Sequence, residues 1–488
     1  MKKTTSLLRL IPLAAALWLA GCATATGDAD AARVAAPARF KEAQAPAGEG
    51  RWTRAAPAEA QSRGEWWRAF ADPQLDALVA RATAGNTGIA EAAARVAQAR
   101  ALVQNARSLY SPQISLGTGA NRTAGWDTTE STVPVTVIGA GLNLSYEPDL
   151  FGRIRRAADA ASQDAAASEA LLQSTRLLVQ AETAQTYLLL RATDAERALV
   201  RETVAAYGDT LALTERRWRA GDLAELDVAR VQSEVASTQA DGLALDRRRA
   251  ELEHALAVLV GEAPASFSVA ADDTAQDWQA ALPVVPAGVP ATVLARRPDV
   301  AAAQSGVLAA QARLGVAQAA WFPSITLTAN GGYASPELGD LLKWSARSWG
   351  IGALLSLPLF DGGRREAGER QARARLDEAV AGLRGQVLTA VREVEDQLSA
   401  LRLLDAQAEA QARAVDAARR AMQFSDTRYR NGMVSQLDLL DARRSELRNR
   451  RQALQVRSAQ YQATVALVRA LGGGWDGEAP QNVARAGR

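Results

Sequence analysis

One cysteine, one histidine and three methionines are all that 488 residues offer to disulfide, metal or redox chemistry. A lone cysteine cannot close a disulfide within the chain. The histidine, His254, lies beside Glu251 and Glu253 in a helical stretch with no second ligand at metal spacing, so it reads as a solvated side chain. Lysine is nearly missing (Lys2, Lys3, Lys41 and Lys343), and arginine carries the rest of the basic charge, balanced by acids to a net +2. No basic block stands out, which leaves nucleic acid without an electrostatic footprint. The Gly-Gly pairs at 331 and 362 sit at strand positions or ends and carry no phosphate-loop pattern. No catalytic constellation is visible, and no cofactor is expected. Beyond the first twenty or so residues no run of eighteen apolar residues occurs, which excludes a membrane-spanning helix.

The amino terminus reads as an export signal. Lys2, Lys3 and Arg9 form a charged region, and Leu10 to Ala20 a short apolar one. It ends in Leu19-Ala20-Gly21-Cys22, which resembles the bacterial lipoprotein box, where the cysteine is lipidated and becomes the first mature residue. Cys22 is therefore the expected lipid attachment site. In such lipoproteins an aspartate after the cysteine retains the protein at the inner membrane; here Ala23 follows, which points to the outer membrane.

Alanine, leucine and arginine are abundant, and these are strong helix formers. A first helix is expected from about Pro73 to Ser108, capped by Asp72 and broken near Gly85-Asn86. Trp66 and Trp67, just before it, read as packing anchors. Gly152 to Trp218 and Gly363 to Arg430 contain no proline, and each run would extend roughly 100 Å if helical. Shorter proline-free runs follow each, Ala224 to Val260 and Val434 to Leu471. Met433, Leu440, Leu447, Leu454, Tyr461 and Val468 fall seven apart, as do Val380, Val387, Val394 and Leu401, which predicts coiled-coil packing.

Between helical stretches the period drops to two. Ile114, Leu116 and Ala120 alternate with Gln113, Ser115 and Gly117, and Ile138, Ala140, Leu142, Leu144 and Tyr146 alternate with Gly139, Gly141, Asn143 and Ser145. A polar loop from Asn121 to Pro134, containing Trp126, joins them. A second hairpin sets Ile325, Leu327 and Ala329, then Trp349, Ile351, Ala353, Leu355, Leu357 and Leu359, against Ser324, Thr326, Thr328, Gly350, Gly352 and Ser356. Strands of about ten residues suit a tilted crossing of a bilayer. Four strands cannot close a barrel, since the smallest bacterial ones have eight, and open edges are forbidden in lipid. Insertion would therefore require oligomerisation.

The two halves are copies. Gly221 and Gly432, the Leu-Asp pairs at 226 and 437, Pro112 and Pro323, and Gly261 and Gly472 all stand 211 apart. The expected division is a signal peptide (1–21), a lipid-anchored extended segment (22–71), a first repeat (72–265), a linker (266–290), a second repeat (291–473) and a tail (474–488).

These features together resemble the TolC-type outer-membrane efflux proteins, and most nearly their lipidated NodT/OprM-like branch. The match rests on the lipobox, on Leu150-Phe151-Gly152-Arg153 with its counterpart Leu359-Phe360-Asp361-Gly362-Gly363-Arg364, and on Tyr429-Arg430-Asn431-Gly432 followed by Leu437-Asp438-Leu439-Leu440-Asp441-Ala442. The resemblance implies an α+β membrane protein with four transmembrane strands and long antiparallel coiled-coil helices per chain. Three chains would form a twelve-strand barrel in outer-membrane lipid and a twelve-helix periplasmic tunnel. It implies an exit duct docked to a periplasmic adaptor and an RND-type inner-membrane transporter. It also implies a periplasmic gate: carboxylate rings at Asp438 and Asp441, and Tyr429 holding its hairpin against the first repeat, where Asp227 is the matching carboxylate. An arginine that some members carry two residues after the turn glycine is replaced here by Val434. From position alone, the aspartates better fit the negative charge favoured at a helix start, and it is the motif match that turns them toward the gate, Asp441 before Asp438 and Asp227 last. A non-channel coiled-coil lipoprotein, an adaptor or envelope scaffold, stays open as the alternative.

Overall fold

The computed structural model describes residues 39–42, 64–123, 134–271, 282–283, 285, 293–294 and 296–473. The export signal, Cys22, the Trp126 loop and the tail from 474 lie outside the described residues. The order of elements is α1 (Pro73–Gly85), α2 (Thr87–Ser108), β1 (Gln113–Thr123), β2 (Val135–Tyr146), α3 (Arg153–Arg219) and α4 (Glu225–Val260). The second half repeats it with α5 (Pro298–Ala319), β3 (Ser324–Ser335), β4 (Arg347–Ser356), α6 (Arg364–Arg430) and α7 (Gln436–Ala470). The two long helices, α3 and α6, have 67 residues each. The expected break between α1 and α2 falls at Asn86, and Asp72 caps α1 by accepting from the backbone N–H groups of Gln74 and Leu75. The described residues form two compact units: 96–168 with 302–385, and the remainder.

The first unit holds a four-stranded antiparallel sheet in the order β1-β2-β3-β4. Its register aligns the alternation of all four strands. Leu142 pairs with Leu116 and with Gly331, Ala329 pairs with Leu144 and Ile351, and Leu327 with Tyr146 and Ala353. One face is therefore mostly apolar, ending on Arg122 of β1 and Arg347 of β4, and the other carries Ser115, Gly141, Asn143, Thr328, Asn330 and Gly352. A one-residue slip in any pair would put apolar groups on the polar face. The seam between the two hairpins needs glycine: a Cβ on Gly332 would lie 2.3 Å from the Ala140 carbonyl oxygen. The second hairpin is shorter at one end than its alternation predicts. β4 stops at Ser356, leaving Leu357 and Leu359 outside it, because Pro358 has no N–H to give a ladder. Among the described residues much of the apolar face is uncovered, with Leu116 72%, Trp349 74% and Ile351 82% exposed. No helix among the described residues is long and apolar enough to cross a membrane.

The core of the second unit gathers Leu75, Val79, Leu188, Leu190, Leu256, Val394, Tyr461 and Val465. Trp66 and Trp67 do pack inside, edge to face at 5.8 Å, and Phe70 lies 6.2 Å from Tyr461. Of the predicted seven-residue series, Leu440, Tyr461 and Val468 are buried and Leu447 and Leu454 are half-buried; in α6 Val387 and Val394 are buried. Met433 is 67% exposed, since it belongs to the turn before α7 begins.

The duplication extends to single atoms. In the first repeat the Asn86 side chain donates to the Leu259 carbonyl at 2.8 Å, and in the second Arg297 donates to the Ala470 carbonyl at 2.8 Å. Both pairs are displaced by the same 211 residues. Arg297 is enclosed and also pairs with Asp299 and Glu393. Burial pushes the Asp299 carboxyl up, but hydrogen bonds from Arg297, the Val300 N–H and Gln386 hold it below its usual range.

Candidate gate at the helix turns

Each pair of antiparallel helices is joined by a short glycine turn. After α3, Gly221 adopts φ +83°, and Asp222 N–H donates to the Arg217 carbonyl. After α6, Gly432 adopts φ +73°, and Met433 N–H donates to the Arg428 carbonyl. A positive φ with a backward bond of this kind is a helix stop that glycine makes without strain.

The two turns then differ. Ala224 gives α4 no side-chain cap, whereas its counterpart Ser435 caps α7 in a reciprocal box with Asp438. Ser435 Oγ donates to Asp438 Oδ2 at 2.7 Å and accepts from the Asp438 N–H at 3.2 Å. The Ser-x-x-Asp spacing was the sequence signal for this box. These bonds, the Ser435 hydroxyl first, hold the exposed Asp438 carboxyl below its usual range. A depressed carboxyl stabilises the fold above its unfolded pKa, and that stabilisation is lost as pH falls through the folded value. Ser435→Ala should therefore move the acid limb of any Asp438-dependent property to higher pH, and loosen the first turn of α7 by about 1 kcal/mol. Thermal stability recorded against pH for both forms checks this.

Asp441 lies one turn on, 61% exposed, and accepts from Arg444 at 3.1 Å. Arg444 also bonds Glu234 of α4. Tyr429 is buried and ties its hairpin to the first repeat, but through Arg217, whose Nη1 donates to the phenol oxygen at 3.4 Å. Asp227 pairs instead with Arg230, at 3.7 Å on its own helix. The structure thus joins Asp441 and Asp438 on one helix start, and places Tyr429 and Asp227 with arginine partners rather than with each other.

The contacts missed from the sequence are those of the arginine pairs on α7. Arg443 reaches the Ala206 carbonyl at 3.1 Å and Thr210 Oγ1 at 2.5 Å. Seven residues later, Arg450 meets Glu202 at 3.3 Å, and Arg451 meets Glu196 at 2.7 Å and Asp241 at 2.8 Å. Gln436 donates to buried Thr214 at 2.7 Å. Beneath lie Tyr207, Val231 and Leu440. The Tyr207 hydroxyl is enclosed without a hydrogen-bond partner, and burial followed by the charge of Glu234 pushes the phenol up, so it stays protonated. The seven-residue arginine spacing was visible in the sequence; its acceptors were not. Among the described residues no group of His, Cys, Asp and Glu side chains could hold a metal ion.

The family described as "Outer membrane efflux protein" matches residues 78–262 and 289–473, both copies of the repeat. The chain belongs to the outer membrane efflux protein family. This efflux protein is 32% identical over 482 residues to the pyoverdine export outer membrane protein OpmQ of Pseudomonas aeruginosa, across 97% of this chain and 98% of the relative. It is 33% identical to the toluene efflux pump outer membrane protein TtgI of Pseudomonas putida, across 95% and 98%. Among solved structures it resembles the outer-membrane channel OprN, with a TM-score of 0.83 at 30% identity, over 91% of this chain and 98% of that one. The open-state channel MtrE of Neisseria gonorrhoeae gives 0.78 at 28% identity, over 91% and 96%. The efflux protein is an outer-membrane channel extending into the periplasm, and its α+β fold is TolC-like. The envelope-scaffold alternative is set aside, since these channels match both repeats and the sheet between their helices.

Proposed function

We propose that the efflux protein is a homotrimer, lipid-anchored at Cys22, forming the exit duct of a tripartite pump. A periplasmic adaptor and an RND-type inner-membrane transporter supply the cargo and the energy. The sheet carries this reading. Within the described residues β1 and β4 each have one neighbouring strand. Lipid tolerates no open edge, so β4 must pair with β1 of another copy. Three copies close twelve strands, with the exposed apolar face toward lipid and the glycine-rich polar face toward the lumen. The relatives named for pyoverdine and for toluene stand at nearly equal identity, which supports a bland duct whose selectivity lies in the transporter.

In the trimer, Asp438 and Asp441 form two carboxylate rings at the periplasmic end. Three like charges at a constriction attract cations and repel one another, so they set selectivity while other bonds hold the duct shut. Where Val434 removes the turn arginine, Arg444 with Glu234 serves as the link between hairpins. Tyr429 with Arg217 is a second link, and Asp227 with Arg230 flanks it.

Planar-bilayer recording of the purified trimer tests this. The wild type should give small cation-selective steps, and Asp438→Asn with Asp441→Asn should lose most of the selectivity. Selectivity unchanged in the double variant would return Asp438 to its cap on α7 and Asp441 to its pair with Arg444. A folded preparation that sediments as a monomer and never conducts would overturn the duct.

A further inference from the structure

The apolar face of β4 reads Leu355, Ala353, Ile351, Trp349 and then Arg347, every second residue, toward the hairpin loop. Arg347 pairs in register with Tyr333, which belongs to the same face. The strand ends joined to helices are the periplasmic ends, so Arg347 stands at the outer rim. An arginine on a lipid-facing strand is costly at mid-bilayer and nearly free at the interface, where it finds headgroup oxygens. Tryptophan favours the same level. The side chain is held ready: its guanidinium lies 4.1 Å from the centre of the exposed Trp344 ring. Stacking on one face leaves the N–H edge free for an oxyanion. Among the described residues no carboxylate pairs with Arg347, while Lys343 in the same loop is neutralised by Asp340 at 2.5 Å.

We propose that Arg347 and Trp344 form a binding site for a phosphate of lipid A, the phosphorylated glycolipid of the outer leaflet. The guanidinium takes the phosphate in a two-pronged charge-assisted contact. Trp344, Trp349 and Ile351 receive the sugar edge and the upper acyl chain. β1 ends its lipid face on an exposed arginine too, Arg122, where a neighbouring copy would meet β4. The site depends on the sheet lying in the membrane as proposed above.

Native mass spectrometry of the full-length protein, equilibrated with bisphosphorylated lipid A, tests the site. Wild type should retain the lipid at about one per protomer, and Arg347→Gln about tenfold less. Arg347→Lys should keep part of the retention, and Arg364→Gln, past the opposite end of the sheet, should keep all of it. The wild type should retain dephosphorylated lipid A about tenfold less than the intact lipid, a comparison that needs no variant. Equal retention of both lipids by the wild type, or equal displacement by phosphatidylglycerol, would overturn a lipid A phosphate site. Conductance from the same preparation separates the two readings. Steps without selective retention remove this site alone, and folded protein without steps removes the membrane reading.

Discussion

Arg444→Gln is expected to raise the open fraction of the duct by about a hundredfold. Arg444 joins Asp441 of its own helix to Glu234 of the neighbouring hairpin. Its side chain is 41% exposed and that of Glu234 is 17% exposed, so water screens the pair. Each link then contributes about 1 kcal/mol, the upper part of the range for exposed ion pairs. In the proposed trimer, three copies opening together would lose about 3 kcal/mol, and each 1.4 kcal/mol is tenfold in the ratio of open to closed. Open probability in planar bilayers is the direct readout. Raising the salt should open the wild type toward the variant, because exposed pairs weaken once the screening length falls below their separation. The exchange Arg444→Glu with Glu234→Arg should restore closure, which simple destabilisation of α7 would not do. An open probability unchanged by Arg444→Gln would move the lock elsewhere, to Tyr429 with Arg217 or to Gln436 with Thr214.

Gly261→Ala should lower thermal stability far more than Gly221→Ala, although both glycines have positive φ. A Cβ on Gly221 meets nothing within 4 Å, so only the left-handed backbone resists, at about 1 kcal/mol. A Cβ on Gly261 would sit 2.1 Å from the carbonyl oxygen of Gly85 and 2.8 Å from its carbon. The neighbour is backbone, held by the Asn86 bond to Leu259, so α1 or α4 must shift. Overpacking of this kind adds about 1–3 kcal/mol. Loss of helical circular dichroism on heating separates the two variants. Equal midpoints would mean that this joint yields freely. Gly472→Ala should fall between them, since its Cβ would meet the Arg296 carbonyl at 3.1 Å.

Much of this architecture was legible because it is repetitive. The break at Asn86, the cap at Asp72, both hairpins and the paired helices follow from period, proline and glycine placement. The strand faces were readable too, since alternation fixes which side chains share a face. Where the reading of β4 ran long, a single residue decided it, Pro358.

The partners at the gate were not legible in the same way. Sequence placed Asp438 and Asp441 one turn apart, and it placed Tyr429 before the turn glycine. The family resemblance set Tyr429 against the first repeat, where Asp227 stands; in the folded chain Tyr429 meets Arg217 and Asp227 pairs with Arg230. A helical period fixes the direction a side chain takes around its axis. It does not fix how far one helix is staggered along another, and a stagger of one turn, about 5.4 Å, changes every cross-helix partner. By itself, then, the sequence determined the duplication, the elements, the apolar strand face and the acidic start of α7. Tertiary structure alone decided that Arg444 finds Glu234, that Gly85 and Gly261 touch, and that Arg347 lies over Trp344. Each of those joins residues whose separation along the chain or around a turn leaves the distance between them open until packing sets it.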